Sequence, residues 1–560
     1  MAFDKGVFTK IDLEYVTGEE TIKSPSVNNH VEKDLLQAHT AALSFQLMTR
    51  AEPPELVIAT IQSLLVVKKY CDEIIIIDNN NTDTSMYKPL AAFCASLDPE
   101  LKVYFYHIDV VEGFKAGALN LALGLMSPDC THIVVVDSDY QALPHARVTI
   151  ANAIEQYPAH TLLQFPQFYR NAGQIDIHSE LNHYFNHHLY RPFNRQRALS
   201  TGTYAVIRRS DLLSLGGWSG ASITEDAQMG VLMHQQGLRS RFIPQIIATG
   251  LLPNTLNDLM SQRRRWIYGN MQVINNYFAI DKSSMCRQYL EKSQTLTSVT
   301  PLNRYTINSI KVEGIGERLL YARAHLSQLS AWVNFTGFFI FLQICTLLIT
   351  TSALFAPTLF NINADSTLLT PLYLVYAGYT VFLVRRLWAY LQDQVPLNKQ
   401  VNENYQPTMK MRLRAWLMHL NFWELGALSW LPVIWGSEKP FICTPKQEYI
   451  HTRRSLRLAN IVALPKLLLA LNIITALVVA PFSPLYSPIL FACALMVCLL
   501  KIGAAKVAFD NFATQQPKLN SIKIKFKPAV AHARKQTKPL APPKIETVFE
   551  DKKLLIPKNA

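Results

Sequence analysis

Thr131-His132-Ile133-Val134-Val135-Val136-Asp137-Ser138-Asp139 is the stretch whose reading decides the fold. It is a run of apolar β-branched residues, too short for a helix, and it stops at two carboxylates. Such a run, bounded by polar residues, reads as a strand buried on both faces. Glu73–Ile77 and Lys102–Ile108 read the same way, and helical patterns separate these runs between about Leu43 and Gln245. Short apolar strands alternating with helices predict an α/β domain on a parallel sheet covered on both sides. Chemistry in such sheets gathers outside the carboxyl ends of the strands. The acidic residues of this chain fall there.

Composition sets the frame for the rest. At 560 residues the chain exceeds what one core usually supports, so at least two structural units are expected. Hydrophobic residues make up 49% and charged residues only 17%, against about 25% charged in soluble proteins. That shortage excludes a wholly soluble or disordered chain and predicts membrane spans beside a soluble domain. The eight cysteines are scattered without a CxxC pair, which argues against a disulfide framework or a structural zinc site. The net charge is +13, and residues 511–560 alone hold 11 Lys and Arg against three acids. A basic excess can serve nucleic acid. Here it lies beside apolar runs, which the positive-inside bias of a membrane protein explains without a nucleic-acid partner.

Residues 1–40 show no apolar run after their early charges, so no signal peptide is expected. Beyond residue 330, four uncharged or nearly uncharged runs predict spans near 331–356, 367–384, 459–480 and 483–500. The 357–366 loop and the Pro481–Phe482 turn are almost free of charge. Lys410, Arg412, Arg414, Lys446, Arg453, Arg454, Arg457 and the basic tail lie on the opposite side. That asymmetry predicts a multi-pass protein of a plasma or inner membrane, with the large domain and both termini in the cytoplasm. Residues 415–436 carry Trp416, Trp423, Trp430 and Trp435 together with His419 and Glu424. Trp favours the headgroup region, so an interfacial helix is expected there. The tail over 507–560 is rich in Lys and Pro and reads as a loosely ordered basic segment.

Three short motifs carry candidate chemistry. Asp137 and Asp139, two residues apart on a turn, can jointly hold Mg²⁺ or Mn²⁺ and so neutralise a diphosphate; the plain alternative is a strand-end turn. Thr224-Glu225-Asp226 can supply a carboxylate base for a sugar hydroxyl, or cap the helix that begins near Ala227. Gln262-Arg263-Arg264-Arg265-Trp266 reads as a diphosphate clamp with an aromatic face for a sugar. Its alternative is a basic helix at the membrane surface. His178, His183, His187 and His188 cluster within 11 residues. The acids and cysteines that would complete a zinc site are not gathered around them.

In their order, these motifs resemble glycosyltransferase family 2, in its membrane-embedded, cellulose synthase-like branch. Glu52-Pro53-Pro54-Glu55 is followed by Asp78 and then by Lys115-Ala116-Gly117-Ala118-Leu119-Asn120. Asp137 and Asp139 come next, then Gln164-Phe165-Pro166-Gln167, Gly202-Thr203 with Arg208-Arg209, Thr224-Glu225-Asp226 and the QxxRW pattern at 262–266. Phe441-Ile442-Cys443-Thr444-Pro445-Lys446 is similar to the family's gating loop, within a gating-loop-like segment at 437–458.

The resemblance implies a Rossmann-like, nucleotide-sugar-binding GT-A domain over 41–330 and an α-helical membrane domain over 331–506. It implies a UDP-sugar donor, with glucose favoured, and a growing β-linked glycan as acceptor. Transfer of a single sugar to a lipid or short acceptor is the alternative. By the same resemblance Thr49, Glu52, Asp78 and Lys115 hold the uridine, and Asp137 and Asp139 meet the diphosphate and its Mg²⁺ or Mn²⁺. Asp226 is the base, Glu225 and Trp266 face the acceptor, and Gln262, Arg265 and Trp266 lie at the diphosphate. For the region of the clustered histidines the resemblance implies polar contacts to an acceptor sugar. Thr444 and Lys446 contact the nucleotide when the loop closes. Four spans make a thin conduit for a polymer, so a second protomer or an accessory subunit is a possible partner.

Overall fold

In a computed structural model of the chain, the described residues are 41–513, apart from 171–179, 189–196, 279–314, 361–365, 393–407, 437–454 and shorter breaks of one to four residues. Residues 1–40, His178, Thr444, Lys446, most of the gating-loop-like segment and the tail beyond 513 lie outside them.

The strands of the first half are β1 (Leu43–Thr49), β2 (Glu73–Asn79), β3 (Val103–Ile108), β4 (His132–Asp137) and β5 (Gln141–Ala142). The short later ones are β6 (Leu162–Gln164), β7 (Ala205–Arg208), β8 (Ser240–Phe242) and β9 (Ala248–Thr249). Seven of them form one sheet in the order β3-β2-β1-β4-β7-β6-β8, and β5 pairs with β9. The first four strands are parallel neighbours, whereas β7 runs antiparallel to both β4 and β6. The expected parallel sheet is therefore present, with one reversed strand inside it.

The doubly buried strands follow from their side-chain period of two. Ile74 and Ile76 join Phe45, Leu47, Val134 and Val136 in the core of one face. Ile75 and Ile77 join Met48, Ile133 and Val135 in the core of the other. Helices α1 (Pro54–Val67), α2 (Thr84–Ala95) and α3 (Phe114–Leu125) connect the parallel strands. Leu90 of α2 and Ile61 of α1 fill the first face, and Leu119 and Ala122 of α3 fill the second. Helix α4 (Glu225–Gln235) adds Met229 and Met233 to the second face. A long helix, α5 (Leu256–Phe278), then α6 (Ile315–Leu329), lead toward the apolar half.

Among the described residues three helices are long and apolar enough to cross a membrane: Thr336–Phe355, Thr367–Leu391 and Pro488–Phe512. The region expected to hold the third span contains a shorter apolar helix, Leu467–Phe482, with a π-helical stretch at Thr475–Val479. These helices are held by a buried polar seam. Tyr376 Oη donates to Asn472 Oδ1 at 2.7 Å, Tyr379 Oη to Gln343 Oε1 at 3.2 Å, and Gln343 Nε2 to Thr475 Oγ1 at 3.4 Å. Interhelical bonds of this kind substitute for the hydrophobic effect, which apolar surroundings remove.

Residues 409–434 differ from the single interfacial helix expected over 415–436. They form three short helices, Met409–Leu420, Trp423–Leu428 and Leu431–Ile434. The tryptophans explain the break. Trp423 is buried, stacked on Phe382 at 5.2 Å and edge-on to Tyr379 at 5.3 Å, and Trp416 is buried in the same cluster. Trp435 remains 71% exposed, as a headgroup-facing side chain would be.

Candidate active site

The parallel register places three candidate residues side by side at the carboxyl edge. Thr49 pairs with Asp78, and Met48 with Asp137. A strand end stops there because Asp and Asn break the β-branched run and bond locally instead.

Two polar groups form on this edge. In the first, Thr49 Oγ1 donates to Glu52 Oε2 at 2.7 Å, the Arg50 amide donates to the same oxygen, and Ser138 Oγ donates to Glu52 Oε1 at 3.0 Å. Asp78 is buried beside them, and Asn81 Nδ2 lies 3.4 Å from both its oxygens. Burial pushes the Asp78 carboxyl above its ordinary value, and hydrogen bonds from His107 and Asn81 pull it back.

In the second group, Lys115 Nζ donates to Asp137 Oδ1 at 2.7 Å and lies 3.6 Å from Glu225 Oε1. Lys115 stands in the first turn of α3, and Glu225 and Asp226 stand in the first turn of α4, where carboxylates suit the helix dipole. Asp226 Oδ1 accepts the Ala227 amide at 2.8 Å. Burial, then the neighbouring Glu225 carboxylate, raise the Asp226 carboxyl to about 7, against the pull of Lys115. Burial alone would lower the Lys115 ammonium; Asp137 and Glu225 outweigh it and hold it above its usual range. Gly202 makes this cluster compact. Its φ is +90°, and a Cβ there would stand 3.2 Å from Asp226 Oδ2 and 3.8 Å from Lys115 Nζ.

Helix α5 reaches the same place through a second glycine. A Cβ on Gly269 would lie 2.5 Å from Thr224 Cγ2, so only glycine lets the helix close on the Thr224-Glu225-Asp226 turn. Ser222 Oγ donates to Gly269 O at 2.9 Å, and the Ile223 amide donates to Gln272 Oε1 at 3.1 Å. Arg265 and Trp266 precede Gly269 by about one turn, and Gln262 by about two.

Arg263, in the middle of the same motif, is not at the cleft. It is fully buried, 3.2 Å from Glu180 Oε2 and stacked over Trp266 at 4.5 Å, and Glu180 also faces His419 Nδ1 at 3.4 Å. His183 and His187 stack at 5.1 Å and His183 on Tyr390 at 3.9 Å, which makes them part of the seam between the two halves.

Asp139 is buried, and its Oδ2 accepts the Leu251 amide at 2.8 Å. Asp137 is braced from behind: its amide donates to Thr203 Oγ1 at 3.1 Å, and Gln164 Nε2 donates to Thr203 O at 3.0 Å. Thr203 and Gln164 sit in quoted motifs, yet their bracing role could not be read from spacing. Among the described residues no group of three His, Cys, Asp or Glu is set to hold a metal alone. Two hard carboxylates on one turn, with Glu225 and Asp226 close to the Lys115 that meets Asp137, nevertheless fit a divalent cation whose other ligands come from a diphosphate.

The chain is similar in sequence to known glycosyltransferases. Residues 47–216 match the family described as glycosyl transferase family 2, and residues 132–383 match glycosyl transferase family group 2. The UDP-forming catalytic chain of cellulose synthase from Dictyostelium discoideum is 29% identical over 170 residues, which are 29% of this chain and 16% of that protein. A poly-beta-1,6-N-acetyl-D-glucosamine synthase of Staphylococcus aureus is 24% identical over 250 residues, 43% of this chain and 58% of its own. The matches thus span about a sixth and somewhat over half of these relatives. A solved mannosyltransferase of Pyrobaculum calidifontis, in complex with GDP-Man and Mn²⁺, aligns with 65% of this chain and 88% of its own at TM-score 0.36 and 16% identity. TarS residues 1–349 of S. aureus align with 53% of this chain and 84% of their own at TM-score 0.32 and 13% identity. Two matching family descriptions that together run from residue 47 to residue 383, with synthases of β-linked polysaccharides among the relatives, support a membrane-type glycosyltransferase family 2 protein.

Proposed function

We propose that the chain is an inverting glycosyltransferase that moves a sugar from a UDP-sugar, glucose favoured, onto a growing β-linked glycan and passes the product across the membrane. The observation that carries this is the Asp226 carboxyl, raised to about 7 beside Lys115 and Asp137 at the carboxyl edge of the sheet. A base poised near neutrality can take the acceptor hydroxyl's proton as that oxygen attacks the anomeric carbon. A single displacement on an α-linked donor gives a β-linked product.

Thr49, Glu52 and Asp78 are assigned to the nucleoside, and Lys115 and Arg265 to the negative charge that gathers on the leaving diphosphate. Gln262 is assigned to the diphosphate as well, and Glu225 and Trp266 to the acceptor sugar. Asp137 and Asp139 would hold Mg²⁺ or Mn²⁺, which when bound supplies neutralising charge to the diphosphate. The catalytic domain is placed on the cytoplasmic side by the basic loops. A second protomer or accessory subunit would complete the conduit.

The test is the chain in membrane vesicles with Mg²⁺ or Mn²⁺ and labelled UDP-glucose. Label retained in high-mass material that a β-glucanase degrades is the expected result. The three long apolar helices favour a second reading, transfer of one sugar to a lipid, because so few helices make a narrow conduit. Label appearing only in a small lipid-soluble product would decide for it. In the same assay Gly202→Val should cut transfer about 10²-fold, since displacing a catalytic group by an ångström costs that much. Retention of wild-type rates would show that Gly202 does not set the position of Asp226.

A further inference from the structure

His107 stands on the edge strand β3, in register with Asp78 of β2. Its Nδ1 lies 2.7 Å from Asp78 Oδ2 and its Nε2 lies 3.2 Å from Asp109 Oδ1. A neutral imidazole has one N–H and can satisfy only one of these carboxylates; both bonds together need the imidazolium. The ring is also held flat. Tyr87, in the first turn of α2, stacks on it with centroids 3.7 Å apart and planes 10° from parallel. Asp83 caps that turn by accepting the Ser85 amide at 2.9 Å, which fixes Tyr87 in turn. No family motif quoted above contains Tyr87, His107 or Asp109.

The arrangement acts on Asp78. That carboxylate is buried, with a side chain only 3% exposed, and the nearby Glu52 carboxylate opposes its ionisation along with burial. The other groups facing it are Asn81, which supplies N–H donors, and Thr49, its partner across β1. Of the side chains bonded to Asp78 among the described residues, His107 is the one able to carry positive charge. Asp109, which braces the far side of the imidazole, is 85% exposed.

We propose that His107, held flat by Tyr87, is a positioning residue that keeps Asp78 a hydrogen-bond acceptor, so that the donor site takes nucleobases offering a ring N–H. Uracil and guanine offer one; the corresponding ring nitrogen of cytosine is an acceptor and meets the carboxylate with repulsion. This rests on the assignment of Thr49, Glu52 and Asp78 to the nucleoside. It adds the device that selects the base.

The test titrates the full chain in detergent with UDP, GDP and CDP at pH 6 and pH 8, alongside donor KM and kcat. Wild type should bind UDP or GDP and discriminate against CDP at both pH values. His107→Phe keeps the stack on Tyr87 and removes both N–H groups. It should weaken UDP or GDP binding about tenfold or more, the value of a hydrogen bond to a charged group. The loss should be larger at pH 6, where an unsupported Asp78 takes up a proton, and discrimination against CDP should shrink there. Saturating kcat should be retained. His107→Gln, which restores one N–H, should recover most of the binding and guards against misfolding of the Phe variant. Unchanged selectivity and pH dependence in His107→Phe would overturn the proposal, as would an equal loss of kcat and binding at every pH. If wild type bound none of the three diphosphates, the nucleoside assignment itself would fall, and this proposal with it.

Discussion

Asp226→Asn should lower sugar transfer by about 10²–10⁴-fold, the usual contribution of a positioned base, while the protein remains folded and in the membrane. The substitution is nearly isosteric. The asparagine oxygen can still accept the Ala227 amide that Asp226 Oδ1 accepts at 2.8 Å, so the first turn of α4 keeps its bond. What disappears is a group that can take a proton. Nucleotide release with donor and acceptor present measures it directly. An unchanged rate would mean that the chain is a scaffold or export component in which the carboxylates no longer act.

The pH dependence of the native enzyme follows from the same group. Its carboxyl is raised to about 7, chiefly by burial and next by Glu225. A base works only when ionised, so kcat/KM should be full above neutrality and fall as pH drops through that value. Lys115 opposes the shift, so Lys115→Met should move the limb to higher pH, with the loss in donor binding read separately. A limb that stays in place in that variant would assign it to another group.

The position of Asp137 was legible because a strand buried on both faces must end where its apolar run ends, and chemistry collects at that edge; Asp226, in the first turn of a helix, was reached only through the Thr224-Glu225-Asp226 motif. The membrane half was legible in the long apolar helices among its described residues for a similar reason: few other solutions bury so much apolar surface. Less could be read where a residue's direction depends on tertiary contacts. The reversed strand Ala205–Arg208 has only four residues and no pattern to mark its orientation. Residues 409–434 break into three helices because Trp416 and Trp423 find partners inside the protein, and composition alone cannot distinguish a buried Trp from one at the headgroups. His107 lies within a strand, where no local motif announces that it faces Asp78. Glu180, near the clustered histidines, gave no sign of its partner.

Arg263 and Arg265 make the sharpest case, and they yield the second large effect. The two lie in one basic motif, but residues two apart on a helix are about 200° apart around its axis. If one faces the cleft, the other faces the opposite wall. Arg263 is buried against Glu180, which in turn faces His419 of the Met409–Leu420 helix. The pair therefore ties α5 to the membrane-side helices. Arg263→Leu should cost about 3–5 kcal/mol, because it breaks a buried ion pair by removing one partner. It should appear as a lowered melting temperature and loss of monodisperse protein in detergent. Adding Glu180→Gln should restore part of that stability, since it removes the buried carboxylate charge that Arg263 had offset. Arg265→Leu should weaken donor turnover and lower melting less than Arg263→Leu does. Equal melting of the two single variants would refute this division of labour. The reason for expecting a contrast is geometric: Arg263 is buried against Glu180, and a residue two further along the helix points about 200° away from it.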